Sequence, residues 1–292
     1  MERKIPRKIA DLALKSMLYE VSTRPKPGLV DSIDNGAHGD MDIFTFIDSS
    51  ISLYSYMEQC SQLGYSAQYK DNKRLFVDLR ELGLKAEKDM FYATNGINTQ
   101  KGLVFILGIV CASSGKVLSE GKGISIEDIC KLSANMVRDI VNEELFHIDK
   151  TNGATQGQKI FLKYGIKGIR GEVEKGFPTV RNHGLPNLYK YLDAGLSLND
   201  AFVNTLLHIM AYAEDTNVLW RGGMGAFLFM QGCAKIAIEL GGMSTIEGRE
   251  NIEDMNREFA KNNISPGGSA DLLATTIMFY LLDKEFNKNG RR

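Results

Sequence analysis

The 292-residue sequence predicts an all-α fold, a single compact multi-helix domain over residues 1–292 with its active site built from inter-helix loops. Three features predict it. Apolar residues recur at helical spacing along most of the chain. Period-two alternation of β-branched residues is scarce, and no hairpin signal occurs. The six prolines fall at segment edges and not within the apolar stripes. No linker, low-complexity tract or solenoid-period repeat divides the chain.

The elements follow in order. Ile9, Leu12, Ala13 and Met17 form the apolar face of an opening helix, which ends before Pro25 and Pro27 because proline lacks the donor a helix needs. Ile43, Phe46, Ile47, Ser50, Ile51 and Tyr54 form a second stripe directly after Asp40 and Asp42, which places those carboxylates at a helix N-terminus. Val104 to Cys111 is apolar almost all round and predicts a central buried helix. Gly115-Lys116 fails as a phosphate loop, since Val117 follows the lysine and Val110 stands where the first glycine belongs. The pair reads as a helix end with Gly115 as its C-terminal cap. Leu198, Ala201, Phe202, Thr205, Leu206 and Ile209 repeat the helical pattern, with Ser197 or Asn199 as the cap. Gly222 to Leu240 and Ala270 to Leu282 add two further helices.

Composition narrows the function classes. Lys plus Arg (35) nearly cancels Asp plus Glu (36), so no global field favours nucleic acid or an anionic membrane. Cys60, Cys111, Cys130 and Cys233 lie far apart without metal-type spacing and read as buried thiols of a reducing compartment. The N-terminus is charged, and Ile9 to Val21 is interrupted by Asp11, Lys15 and Glu20, unlike a signal peptide. No run approaches transmembrane length on this reading. The expectation is a cytoplasmic protein without nucleic-acid or membrane partners.

Six polar segments interrupt the helices: Ser22 to Asp31, Asn35 to Asp42, Asn95 to Gly102, Gly165 to Glu172, Asp215 to Gly223 and Ser265 to Asp271. Glycine admits close approach of backbone to a ligand, cations hold phosphate, and carboxylates hold metal or move protons. So many such segments imply a polyanionic ligand held from several sides. Asp40 and Asp42 flank Met41 and can share a divalent cation on irregular backbone; in a regular helix they diverge, one of them as N-cap. His38, between glycines and aspartates, is a candidate catalyst. His208 lies in an apolar helix and reads as a core residue, and His147 and His183 form no zinc-binding spacing. The glycine-rich Ser265 to Ser269 run precedes an apolar helix and makes an anion site, with Asp271 in the first turn as cap or ligand. A carboxylate, an amide and a guanidinium crowd Asp215, Asn217 and Arg221, which is unfavourable beside an apolar helix unless something binds there.

Taken together, the segments resemble the triphosphoribosyl-dephospho-CoA synthase family over nearly the whole chain and in the family's order. The motifs are Ser-Thr-Arg-Pro-Lys-Pro-Gly-Leu-Val-Asp, Gly-Ala-His-x-Asp-Met-Asp, Gly-x-Asn-Thr, Gly-x-Arg-Gly-Glu, Asp-Thr-Asn and Ser-Pro-Gly-Gly-Ser-Ala-Asp. Gln100, where the family carries a histidine, and Trp220, at a position polar in relatives, depart from the pattern. The resemblance implies that ATP and 3′-dephospho-CoA are joined through a ribose–ribose bond with release of adenine, giving the prosthetic-group precursor of citrate lyase; a related branch serves malonate decarboxylase. It also implies a downstream carrier-protein transferase as partner.

The resemblance implies a β-configured donor giving an α-linked product, for which a single inverting displacement is the simplest route. Such a step needs a base on one face and leaving-group help on the other, with carboxylates about 6.5–9.5 Å apart in the glycosidase analogy. Mg²⁺ is expected as a clamp on the triphosphate. On this reading Asp40, Asp42, Asp215 and Asp271 are metal ligands, and Asp40, Asp215, Glu172 and His38 are candidate acids and bases. Arg24, Lys26, Arg170 and Arg221 contact phosphates, together with Asn98, Asn217, Gly267, Gly268 and Ser269. Two alternatives use the same groups: a Mg²⁺-dependent helical N-glycosidase of ADP-ribose type, and a non-catalytic nucleotide or CoA sensor.

Overall fold

The structure is a computed structural model, which describes residues 4–66, 71–121, 123–138, 140–146 and 153–287. His147 lies outside them. Among the described residues it contains helices and no sheet. The order is α1 (Lys4–Ser22), α2 (Ile43–Ser52), α3 (Tyr54–Tyr65), α4 (Asn72–Ala93), α5 (Lys101–Ser119), α6 (Ile126–Val137) and α7 (Ile140–Phe146). It continues with α8 (Gln156–Tyr164), α9 (Ile169–Glu174), α10 (Leu185–Asp193), α11 (Leu198–Tyr212), α12 (Thr216–Glu239), α13 (Ile246–Lys261) and α14 (Gly267–Phe286).

Helix α5 is the axis of the core. Leu103, Val104, Ile106 to Ala112 and Leu118 are buried, and α1, α3, α4, α6, α9 and α14 pack around it. This is why its sequence is apolar all round. Gly115 is an internal contact of α5 and not its end, correcting the reading above, because the helix runs on to Ser119. A Cβ on Gly115 would meet the Ser61 carbonyl oxygen at 2.3 Å, and one on Gly64 would meet that of Ala112 at 1.9 Å. The two glycines let the α3 and α5 backbones touch. Gly64→Ala must push the helices apart; about 1–3 kcal/mol of stability should be lost to overpacking, read as a lower midpoint in urea. An unchanged midpoint would contradict this packing.

A second buried layer comes from α11 and α14. Residues 201–207 of α11 are buried on every side, as are Leu272 to Phe279 of α14. Ser197, not Asn199, caps α11, accepting from the Asp200 N–H at 3.1 Å. His208 sits 3.0 Å from the Tyr191 hydroxyl, and burial lowers its pKa to about 4, so it is a neutral core histidine. Cys60, Cys111 and Cys130 are buried free thiols, and burial pushes Cys111 and Cys130 up to about 12.

Two helical segments, Lys101–Ser119 and Thr216–Ser244, are long and apolar enough to cross a membrane, which corrects the sequence reading. The first owes its apolarity to its place in the core. The second is largely at the surface, with Leu228, Phe229 and Ile236 exposed.

Candidate active site

Four helix N-termini meet at one place. Gly102, in the first turn of α5, lies so close to α14 that an added Cβ would be 1.9 Å from Asp271 Oδ2 and 2.9 Å from Ile169 Cδ1 of α9. Gly168, just before α9, abuts the Thr216 side chain at the start of α12. Gly267, which opens α14, faces the Asn217 amide. Gln100, Gly168 and Pro266, immediately before α5, α9 and α14, supply no side-chain cap, and Asn98 takes the Lys101 N–H of α5. Each helix start carries roughly half a positive charge from the helix dipole, so the cluster favours a polyanion.

Asp215 holds two of these starts together. It is fully buried; Oδ1 accepts from the N–H groups of Asn217 (3.1 Å) and Val218 (3.2 Å), and Oδ2 from the N–H (2.8 Å) and Oγ (2.9 Å) of Ser269. Burial raises its pKa, and the donors oppose that rise. Four acceptances occupy its lone pairs, so Asp215 is a clamp between α12 and α14, not a free ligand or base. Asp215→Asn should destabilise by about 1–3 kcal/mol, since an amide nitrogen facing two donors leaves them unpaired; chemical denaturation checks this.

Asp271 is its opposite. Among the described residues its carboxylate has no hydrogen-bond or ion-pair partner. Burial, followed by the charges of Glu20 and Asp215, holds its pKa well above the usual range. Glu20, on α1, is buried with its pKa raised by burial, and it pairs with the equally buried Lys26 ammonium. Lys26 therefore serves the interior as counter-ion of Glu20, correcting its assignment as an open phosphate contact.

The loop of residues 23–42 is fastened at several points. The Arg24–Pro25 peptide is cis. Asn199 brackets the Arg24 backbone, accepting from its N–H at 2.9 Å and donating to its carbonyl at 2.7 Å. Asp31 accepts from Lys26, Ile33 and Asp34 N–H groups. Asn256 of α13 accepts from Gly28 N–H (2.9 Å) and donates to Asp34 (3.0 Å). This brings His38 to Ser265, with Nε2 2.7 Å from Oγ, while Nδ1 faces Asp40 Oδ1 at 3.5 Å. Arg221 closes the group, donating from Nη2 to Ala37 O (2.8 Å) and from Nε to Asn263 O (3.1 Å). Burial first, then Arg221, lowers the pKa of His38, which leaves the imidazole neutral near pH 7. Ser265 joins this group to the helix-start cluster, because its carbonyl accepts from Asn217 Nδ2 at 2.8 Å and Gly267 N–H at 2.9 Å.

The remaining expected residues stand apart. Asp42 is the N-cap of α2, in a reciprocal capping box with Thr45, whose backbone N–H lowers its pKa. Glu172 is buried against Thr179, accepting from its N–H (3.1 Å) and its hydroxyl; burial raises its pKa. Arg170 lies 6.0 Å from the Phe105 ring centroid, Asn98 accepts from the Lys101 N–H at the start of α5, and the Arg24 side chain is exposed. Among the described residues no three His, Cys, Asp or Glu gather as a metal cluster. The expected four-aspartate set is thus not assembled: Asp42 is spent on a cap, Asp215 on a clamp, and Asp40 faces His38 and solvent away from Asp271 as a base candidate and not a metal ligand. Sequence reasoning missed Glu20, Asn199, Asn256 and Ser265 as site-building residues. Only Ser265 carried a signal, its place at the head of the glycine-rich run.

Residues 6–290 match the model of a family described as "CitG: ATP:dephospho-CoA triphosphoribosyl transferase". The chain belongs to the CitG family. A CitG-family relative from Streptococcus pyogenes serotype M18, "Probable 2-(5''-triphosphoribosyl)-3'-dephosphocoenzyme-A synthase", is 38% identical over 97% of this chain and 99% of its own. "Protein CitXG" of Leuconostoc mesenteroides subsp. cremoris is 42% identical over 92% of this chain, which spans 58% of that longer protein. No solved structure matches. The helix-start cluster draws on four of the six polar segments, at Gly102, Gly168, Asp215 and Ser265 to Asp271, and His38 and Lys26 adjoin it from the other two.

Proposed function

We propose that this chain transfers the triphosphoribosyl group of ATP to 3′-dephospho-CoA, releasing adenine and forming the prosthetic-group precursor for citrate lyase. The observation that carries the reading is the meeting of helix N-termini around the unpartnered Asp271. The triphosphate lies beside these helix starts, whose dipoles favour it. Asp271 fits a Mg²⁺ ligand: it is ionisable, lacks a donor, and its pKa is raised by burial and then by neighbouring carboxylates, whose repulsion a cation relieves. Mg²⁺ takes one or two carboxylates and completes its shell with phosphate oxygens and water, so no three-carboxylate cage is needed. When bound it neutralises triphosphate charge. Asp215 and Asn217 hold the α12 and α14 starts in register, and Arg221 secures the adjoining loop.

The displacement joins the 2′-hydroxyl oxygen of dephospho-CoA to C1′ of the ATP ribose as the C1′–N9 bond breaks and its electron pair leaves on adenine. Substrates of this kind, with the reduced thiols, support a cytoplasmic setting. The product is a prosthetic-group precursor, so a carrier-protein transferase is the class of enzyme that would consume it.

The test is adenine release, followed by chromatography with MgATP and with or without dephospho-CoA, the CoA product being weighed by mass spectrometry. Adenine only with dephospho-CoA, and a triphosphoribosyl mass gain, is expected. Adenine without the acceptor would make the protein a hydrolase; binding without adenine would make it a sensor.

A further inference from the structure

We infer that Ser265 is a positioning residue: it fixes the tautomer of His38 so that the imidazole Nδ1–H supports Asp40 as the base that takes the proton of the attacking hydroxyl. The inference rests on the transfer reaction proposed above. Its geometry is a line of three side chains running outward through the protein. Ser265 is 1% exposed, the His38 side chain 13% and the Asp40 side chain 63%. The order resembles the serine–histidine–aspartate arrangement of hydrolases, but with the burial reversed: the serine is the buried anchor, and the carboxylate is the end a substrate can touch.

The direction of the hydrogen bonds follows from charge. A neutral imidazole has one N–H and one lone pair. Nδ1 faces the Asp40 carboxylate at 3.5 Å, where a lone pair would be repelled, so the proton sits on Nδ1. Nε2 is then the acceptor, and the Ser265 hydroxyl 2.7 Å away is its donor. The Ser265 backbone is held in place, because its carbonyl accepts from Asn217 and Gly267 at the start of α14. The anchoring thus reaches Asp40 from the same glycine-rich turn that adjoins the phosphate cluster. In the transfer step the hydroxyl oxygen bonds to C1′, its proton passes to Asp40 and then to solvent, and adenine draws one proton from solvent. The balance needs no further reactant.

The experiment begins on the unmodified protein. Long-range ¹⁵N–¹H correlation spectra, with His38→Gln to assign the signal, report which His38 nitrogen carries the proton. The Nδ1–H form is expected in the wild type, with a shift toward Nε2–H in Ser265→Ala and retention of Nδ1–H in Ser265→Thr. In parallel, Ser265→Ala should lose about 100-fold in kcat, the lower range of general-base contributions, with KM for MgATP within about twofold, and Ser265→Thr should recover most of it. A wild-type Nε2–H tautomer, or a Ser265→Ala protein with unchanged tautomer or unchanged kcat, overturns the inference. The tautomer is read without turnover. A wild type that forms no triphosphoribosyl product would overturn the function while leaving the assignment of Ser265 standing or falling on its own spectrum.

Discussion

Asp271→Asn should abolish most of the transfer activity while making the protein more stable at neutral pH. The activity loss follows from removing a carboxylate that has no partner among the described residues and that the proposed function makes a Mg²⁺ ligand; about 10–100-fold in kcat/KM for MgATP is expected. The stability gain follows from the direction of the pKa shift. Asp271 is raised in the folded protein by burial and by Glu20 and Asp215. The native state therefore binds this proton more tightly than the unfolded chain does. Stability is greatest below the unfolded pKa and declines as pH rises toward the folded pKa. At pH 7–8 the wild type carries the cost of any ionisation, and asparagine, which is nearly isosteric, does not. Thermal melts of both proteins without nucleotide should show the variant ahead near pH 7.5 and the gap closing near pH 4. With saturating MgATP the order should reverse, because ligand binding adds stability only to the protein that binds. A variant that is both active and no more stable would remove Asp271 from the centre of the site.

Lys26→Met should be the most damaging single change to the fold. Lys26 and Glu20 are both buried, with side chains 2% and 3% exposed, so solvent screens neither. Removing the cation leaves a buried carboxylate alone, at a cost of about 3–5 kcal/mol. At about 2–4 °C per kcal/mol for a chain of this order, the midpoint should fall by roughly 6–20 °C. The double variant Glu20→Gln/Lys26→Met removes both charges and should recover most of the loss. A cycle of the four proteins in urea measures the coupling directly. If Lys26→Met melts like the wild type, the pair is not the buried link between α1 and the following loop.

These two residues also show how far the amino-acid pattern could be read. Lys26 sits in a proline-rich turn beside Arg24, and nothing local separates a cation aimed at a ligand from one folded inward onto α1. The partner that decides it, Glu20, looked like an ordinary polar position in an amphipathic helix. Asp215 and Asp271 present the same difficulty. Asp215 caps α12 and Asp271 lies near the start of α14, yet one has four donors and the other none. Which is clamp and which is ligand depends on where Ser269 and Gly102 arrive, and both come from remote parts of the chain. Asp42 was more legible, since its capping box with Thr45 closes within three residues.

What the chain dictates locally it dictates well: helical class, the placement of prolines and N-caps, the buried α5, and the polar segments whose order identifies the family. Those features depend on periods of 3.6 residues and on caps that close within a turn. Only the tertiary structure could decide the partners of buried charges, the meeting of the starts of α5, α9, α12 and α14, and the line from Ser265 through His38 to Asp40. Each of these sets the pKa or hydrogen bonding of one side chain through groups remote in sequence, 227 residues away for His38 and Ser265. Electrostatics and hydrogen bonds act over a few ångströms of space, whatever the distance along the chain.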